Sequence, residues 1–393
     1  MGISRRKLFA GCAAMGATAI AAGAYRLIYA GQAESPVLAE PEASDTPSLH
    51  DAAHWEPLER KRVRCKLCPR ECSVADMERG YCGVRENHDG KYYTLVYGRP
   101  AAVHIDPIEK KPLFHYLPGV SAYSIGTAGC NMECQFCQNW NISQFRPEQV
   151  EAYDLPPERV VTNARAAGAE SIACTYNEPT VFYEYVHATA EKSRAAAIPT
   201  VMISNGYMQK QPMLDLCKVL GAVKIDLKAH SESFYSQVCK GKLQPVLDTL
   251  KTLKAQGMWF EIVVLLITGK NDSADEVKRL ANWVATSLGP DVPLHFSRYF
   301  PMYKLRLPQT PVEVMARAHE TAKAEGLHFV YVGNIELAGK ADTICPGCGT
   351  AVIKRVGMMV LSNSLADGKC PKCHRAVPGI WKTSDAFKRG VII

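Results

Sequence analysis

From Ala122 to about residue 335, short apolar runs alternate with helix-patterned stretches, and this alternation constrains the fold of the 393-residue chain more than any other feature. Apolar runs over 122–127, 171–175, 200–204, 222–227, 259–267, 293–298 and 328–332 predict strands. Helical spacing over 157–167, 180–196, 210–220, 244–256, 274–287 and 311–325 predicts helices between them. Pro157, Pro179, Pro212, Pro245 and Pro311 stand at or near helix starts, where a missing N–H costs least. Such alternation implies parallel strands joined by crossover helices, so the fold class is α/β. Ligands bind beyond the carboxyl ends of such strands. Nearly all of those ends are polar or contain glycine, among them Gly126-Thr127-Ala128-Gly129-Cys130, Tyr176-Asn177-Glu178-Pro179, Ser204-Asn205-Gly206 and Asp226-Leu227-Lys228.

Hydrophobic residues make up 47% and charged residues 22%, which excludes disorder for most of the chain. The formal charge of +7 shrinks to +3, 42 basic against 39 acidic residues, once the acid-free first 30 residues are set aside. That excess is no footprint for nucleic acid. Of 15 cysteines, 11 fall into three tight groups. In a long α/β chain this reads as metal or iron–sulfur binding rather than a disulfide framework. Cys130-x3-Cys134-x2-Cys137 lies on the loop after the first predicted barrel strand. Three thiolates there can take three corners of a [4Fe–4S] cluster and leave one iron open to a ligand; a zinc site with an open position is the alternative. Cys345, Cys348, Cys370 and Cys373 form two knuckles that suit tetrahedral zinc in a zinc-ribbon-like tail, with rubredoxin-type iron as the alternative. Cys65, Cys68, Cys72 and Cys82 supply four further ligands, for zinc or an auxiliary iron–sulfur cluster.

The first 33 residues read as a twin-arginine-like signal or anchor. Arg5-Arg6 precedes 18 uncharged residues from Leu8 to Tyr25, of which 11 are Ala or Gly. Residues 34–60 read as a linker, 61–90 as a four-Cys module, 91–121 as a lead-in with a strand over 92–97, 122–337 as the barrel and 338–393 as the Cys-rich tail. Cys174, Cys217 and Cys239 read as core packing, and Lys111 and His115 as residues near the mouth of the site. On the strand 293–298, Arg298 and His295 are the candidate catalytic residues, because a fixed guanidinium suits a carboxylate or phosphate and an inward imidazole can reach a substrate.

The cysteine loop, with the aromatic Phe136 before Cys137, resembles the radical S-adenosylmethionine (SAM) superfamily over roughly residues 122–335. The resemblance implies a partial (β/α) barrel whose [4Fe–4S] cluster chelates SAM and cleaves it reductively to a 5′-deoxyadenosyl radical that abstracts hydrogen from a substrate. It implies that Glu178 pairs with the SAM ammonium, and that Ser204, Asn205, Asp226 and Lys228 reach its ribose and methionine carboxylate. It also places the backbone of Thr268-Gly269 near the adenine. Longer strings, including residues 109–119, Cys137-Gln138-Asn139-Trp140 and His295-Phe296-Ser297-Arg298-Tyr299, are similar to the radical SAM enzyme of the AmmeMemoRadiSam system. That likeness implies a reductant such as flavodoxin or ferredoxin, and Memo-like and AMMECR-like proteins or a protein substrate as partners. Two other readings stand beside it: a glycyl-radical activase of the pyruvate formate-lyase activating type, and a non-catalytic iron–sulfur or zinc electron carrier, which Glu178, Asp226 and Lys228 disfavour. The leader suggests membrane association or a periplasmic place, with membrane contact only through that segment, while SAM chemistry favours access from the cytoplasmic side.

Overall fold

A computed structural model describes residues 49–388; the leader, the first part of the linker and residues 389–393 lie outside the described residues. Its centre is one eight-stranded sheet in sequence order: β1 (Ala102–Pro107), β2 (Ser121–Gly126), β3 (Ser171–Cys174), β4 (Thr200–Ser204), β5 (Ala222–Asp226), β6 (Phe260–Leu266), β7 (Leu294–Arg298) and β8 (Val330–Gly333). Strands β2 to β8 are parallel, and β1 runs antiparallel to β2. With β1 and β8 at its two edges the sheet is open, a partial barrel. One long helix follows each of β2 to β7: α1 (Pro157–Ala166), α2 (Tyr183–Ala195), α3 (Lys210–Val219), α4 (Leu243–Ala255), α5 (Ala274–Trp283) and α6 (Val312–Ala324). β3 and β4 are buried along their whole length, as strands covered on both faces must be. The start of α5 shows how locally the helices are specified. The Ser273 side chain accepts from the Glu276 amide, and Val277, Leu280 and Ala281 then turn inward at helical spacing. Among the described helices none is long and apolar enough to cross a membrane.

Three parts differ from the sequence expectation. β1 lies in the lead-in, where Pro100 and Pro107 bracket too short a run for alternation to declare itself. The strand expected over 92–97 spans Lys91–Thr94. The linker stops early, because strands His50–Asp51 and Trp55–Pro57 already belong to the N-terminal module's two small sheets. His50 stacks on Tyr97 at 3.7 Å and Trp55 meets Tyr92 edge-on, contacts that anchor these residues.

The third difference is the tail. The sequence sets it apart from the barrel at residue 338, yet it packs into the barrel's closure. Residues 108–117 run beneath the amino ends of the strands, where Ile108, Leu113, Tyr116 and Leu117 pack with Ala122, Val201, Ala222 and Trp259, and with Ile380 and Ala386 of the tail. A second cluster joins Phe114, Phe329 and Tyr331 to Cys345, Val352, Cys370 and Val377. The tail also reaches the β8 edge of the sheet and the segment beneath the strands. At β8 the Val332 amide donates to Lys340 O at 3.1 Å, and Tyr331 meets Thr343 at 3.0 Å. On the lead-in side, Arg355 of the hairpin Ala351–Val356 and Met359–Asn363 donates to Phe114 O at 2.7 Å and lies 3.8 Å from Glu109.

Candidate functional site

The residues after β2 form the loop that carries Cys130, Cys134 and Cys137. Asn177, at the end of the neighbouring β3, holds its beginning. Its Oδ1 accepts the Thr127 amide at 3.0 Å, and its Nδ2 donates to Ala128 O at 3.2 Å and Gly129 O at 2.8 Å. Gly129 sits at φ +84°, where a Cβ would stand 2.5 Å from Val84 Cγ1 and 2.7 Å from Cys82 O; only glycine fits this close approach. Sequence reading quoted Asn177 but missed this role, because a side chain that serves three backbone groups is visible only once β3 lies beside β2.

The three loop cysteines line a cavity of about 470 Å³ over the carboxyl ends of the strands. Phe136, Glu178, Asn205, Asp226 and Lys228 line it too, as does Lys111. The strongest charge group there is Lys224–Asp226–Lys228. Alternate residues of a strand share a face, so β5 aims Lys224 and Asp226 inward, and Lys228 follows in the same phase. Asp226 accepts from both ammonium groups, from Lys228 Nζ at 2.9 Å and in a short contact from Lys224 Nζ. Burial alone would raise the Asp226 pKa, but the two lysines hold it far below the usual carboxylate range. Burial lowers Lys224, whereas at Lys228 the attraction of Asp226 and Cys134 outweighs burial and raises it. Two ammonium groups against one carboxylate leave a positive excess that suits an anionic ligand group. Lys224 was not singled out from sequence, although its i, i+2 spacing to Asp226 carried the signal.

Glu178 is placed differently from the role expected of it. It lines the cavity, but its carboxylate accepts the Thr180 amide at 2.9 Å, the Thr180 hydroxyl at 2.6 Å, Ser204 Oγ at 2.7 Å and the Asn205 amide at 2.7 Å. A carboxylate has about four acceptor positions, so pairing with a ligand ammonium would displace one of these donors. Burial pushes its pKa up, opposed by the same donors. Ser204 spends its hydroxyl on Glu178 and on the Gly206 amide at 2.9 Å and is not among the lining residues. Asn205 lines the cavity, with Nδ2 2.9 Å from Asn131 Oδ1 and 4.0 Å from Cys130 Sγ.

Neither candidate catalytic residue reaches the cavity. Ser297 faces it, so the next residue, Arg298, points to the opposite face of β7, where Nε donates to Thr310 O at 2.7 Å. His295 shares the face of Ser297 but lies nearer the amino end of the strand, 2.7 Å from the Glu261 carboxylate and edge-on to Phe114 at 4.8 Å. His115 belongs to the same buried network, its Nε2 2.5 Å from the Tyr331 hydroxyl, and burial pushes its pKa down to about 4. Lys111 does line the cavity; burial lowers its pKa to about 8 against the pull of Asp106, 2.6 Å away. Thr268 and Gly269 are not among the lining residues. Cys174, Cys217 and Cys239 are buried, with Cys239 beside Cys134.

The four tail cysteines form a metal site. Cys345 Sγ lies 3.5 Å from Cys373 Sγ and Cys348 Sγ 3.6 Å from Cys370 Sγ, and all four sulfurs lie within 4.8 Å of one another. Among the described residues no other group of three or more Cys, His, Asp or Glu closes this tightly. The loop triad is therefore wider, which suits ligands that each take a different iron of one cluster rather than share one ion. The exposed His374 stands outside the tail quartet.

The model of the radical SAM superfamily matches residues 124–284. The uncharacterized protein MJ0808 of Methanocaldococcus jannaschii is 41% identical over 332 residues, 84% of this chain and 99% of that protein. A second uncharacterized protein of the same organism, MJ0674, is 23% identical over 281 residues, 68% of this chain and 76% of that protein. A domain of a pyruvate-formate lyase-activating enzyme from Bacteroides vulgatus aligns at a TM-score of 0.38 and 16% identity, covering 42% of this chain and 100% of the domain. The superfamily match runs through β2 and the cysteine loop to the end of α5, and the archaeal relative is shared over nearly its whole length; the chain belongs to the radical SAM superfamily.

Proposed function

We propose that this protein is a radical SAM enzyme that takes hydrogen from a partner protein. The observation that carries the reading is the wide cysteine triad beside the lysine-rich group Lys224–Asp226–Lys228 in one cavity. A volume of about 470 Å³ is in the usual range for a small-molecule site. Cys130, Cys134 and Cys137 would bind three irons of a [4Fe–4S] cluster, and the lysine group would hold the carboxylate of SAM. Bound there, cluster and SAM supply reductive cleavage of the sulfonium and a 5′-deoxyadenosyl radical. Asn177 and Gly129 fix the loop. Phe136, Ile203, Val263 and Leu265 give the cavity apolar walls that exclude water. The tail hairpin supports a protein substrate, since Met358 lines the cavity while Val356, Met359 and Leu361 beside it expose 47%, 60% and 57% of their surface. Flavodoxin or ferredoxin would supply the electron, and the AmmeMemoRadiSam likeness makes Memo-like and AMMECR-like proteins the first partners to assay. Zinc is the ion proposed for the tail site, on its four thiolates at ion-sized spacing.

The test is anaerobic reconstitution with SAM and a low-potential reductant, followed by detection of 5′-deoxyadenosine. No product from cluster-loaded protein overturns the enzyme reading. Supplying a deuterated lysate, split by ultrafiltration, tests the substrate class. The 5′-deoxyadenosine should gain deuterium from the macromolecular fraction; gain only from the small-molecule filtrate overturns the protein substrate.

A further inference from the structure

We propose that Cys65, Cys68, Cys72 and Cys82 hold a second iron–sulfur cluster, built against the cysteine loop of the barrel. The four residues come together around a short knuckle. Cys65 ends the strand Val63–Cys65 and its amide donates to Cys72 O at 3.0 Å, while Cys72 Sγ accepts the Tyr81 amide, beside Cys82, at 3.4 Å. Two buried donors point the same way. The Tyr92 hydroxyl, on a residue 2% exposed, has no hydrogen-bond partner among the described residues. It flanks Gly80 together with Cys72 Sγ: a Cβ on Gly80 would lie 2.9 Å from the hydroxyl and 3.8 Å from the sulfur. Arg85 is 1% exposed, and its Nε likewise lacks a partner although its terminal nitrogens bind Glu184 and Ala53 O. It stands beside Cys65 and Cys82. Leaving two such donors buried and unsatisfied is costly, and sulfurs of an anionic cluster would accept from both.

The ion-sized alternative is weaker. In the tail, four thiols that suit one ion close to within 4.8 Å, whereas no three of the N-terminal four do so. Sulfurs that each bind a different iron are set wider. The module is also fixed to the barrel's cysteine loop. Arg70 Nε donates to Asn131 O at 2.7 Å, the guanidinium stacks over Tyr81 at 3.3 Å, and Tyr81 itself bonds Glu133. Cys82 and Cys130 line one surface cleft, and the Cys82 carbonyl is the group that forbids a side chain on Gly129.

The experiment is metal and sulfide analysis of the full chain after anaerobic reconstitution. With Cys130→Ser, Cys134→Ser and Cys137→Ser combined, the protein should keep iron and acid-labile sulfide in equal amounts, and adding Cys65→Ser and Cys72→Ser should remove both. A second equivalent of zinc beyond the one assigned to the tail, with no iron, or no sulfide in the loop variant, overturns the proposal. Should the loop variant fold poorly, Cys65→Ser with Cys72→Ser in the otherwise intact chain should lower sulfide while the spectrum of the remaining cluster persists; unchanged sulfide overturns it. Tyr92→Phe, which removes one donor to sulfur, should lower the midpoint potential of the cluster left in the loop variant; an unchanged potential overturns the part assigned to Tyr92.

Discussion

At the carboxyl ends of the strands, Lys224, Asp226 and Lys228 turn a net charge toward a cavity, whereas at the amino ends Glu261, His295 and His115 exhaust their polar groups on one another and on the backbone. Glu261 alone accepts the Phe114 amide at 3.0 Å, the His115 amide at 2.8 Å, Trp259 Nε1 at 3.3 Å and His295 at 2.7 Å. Histidine and glutamate at the amino end are there to close the barrel. Residue type therefore says little about function in this sheet, and position along the strand says much. The cysteine groups divide in the same way: the loop of Cys130, Cys134 and Cys137 belongs to the open end, and the tail quartet packs at the other against Phe114 and Tyr331.

Cys134→Ser should break the open end most completely. SAM cleavage should fall to background while the tail keeps its ion and the thermal transition is little changed; retained cleavage would show that the loop does not hold the cluster. Cys370→Ser attacks the sealed end. Because Cys370 packs with barrel residues, its loss should cost at least about 4 kcal/mol, with barrel and tail unfolding together in denaturant. A tail that loosens alone would show that the barrel keeps its core without it.

Acid should separate the ends more gently. His115 is buried neutral, with its pKa pushed from 6.5 to about 4, so between those values the unfolded chain binds more protons than the folded one. Stability is therefore full above pH 6.5 and lost as pH falls through about 4, by up to about 3 kcal/mol from this group. His115→Gln should flatten that limb of a stability–pH curve. Lys224→Met should weaken SAM binding roughly 10- to 100-fold, the equivalent of about 1.5–3 kcal/mol for a bond to a charged group, without loss of iron. Arg298→Lys should change least: SAM affinity and cleavage stay as they were, and the lost bond to Thr310 O costs about 1 kcal/mol in unfolding.

The open end was largely legible in the sequence, because its information is local. Strand ends, helix starts and the spacing of Cys130, Cys134 and Cys137 each lie within a few residues, and β2 to β8 fall within two residues of their expected bounds. What escaped needed strand phase or distant partners. Whether Arg298 or Ser297 faces inward depends on the register of β7 against β6, which pairs Ser297 with Leu265. Glu178 carries the chemistry of a ligand clamp but meets Ser204 and Asn205 only after β4 is laid beside β3. Nothing near Ile380 in the chain announces that it will pack beneath Ala222 and Trp259.

The tail that joins the β8 edge to the segment 108–117 sets an order on synthesis. Phe114 and Tyr331 stay uncovered until Val352 and Val377 arrive, and the Arg355 cap on Phe114 comes more than 200 residues after it. A nascent chain thus carries a nearly complete barrel whose bottom is bare and whose β8 edge is unpaired, surfaces that invite association with other chains. Every barrel strand precedes Cys345 to Cys373 in the chain, so the packing that covers Phe114, Phe329 and Tyr331 forms only after the whole barrel has been made.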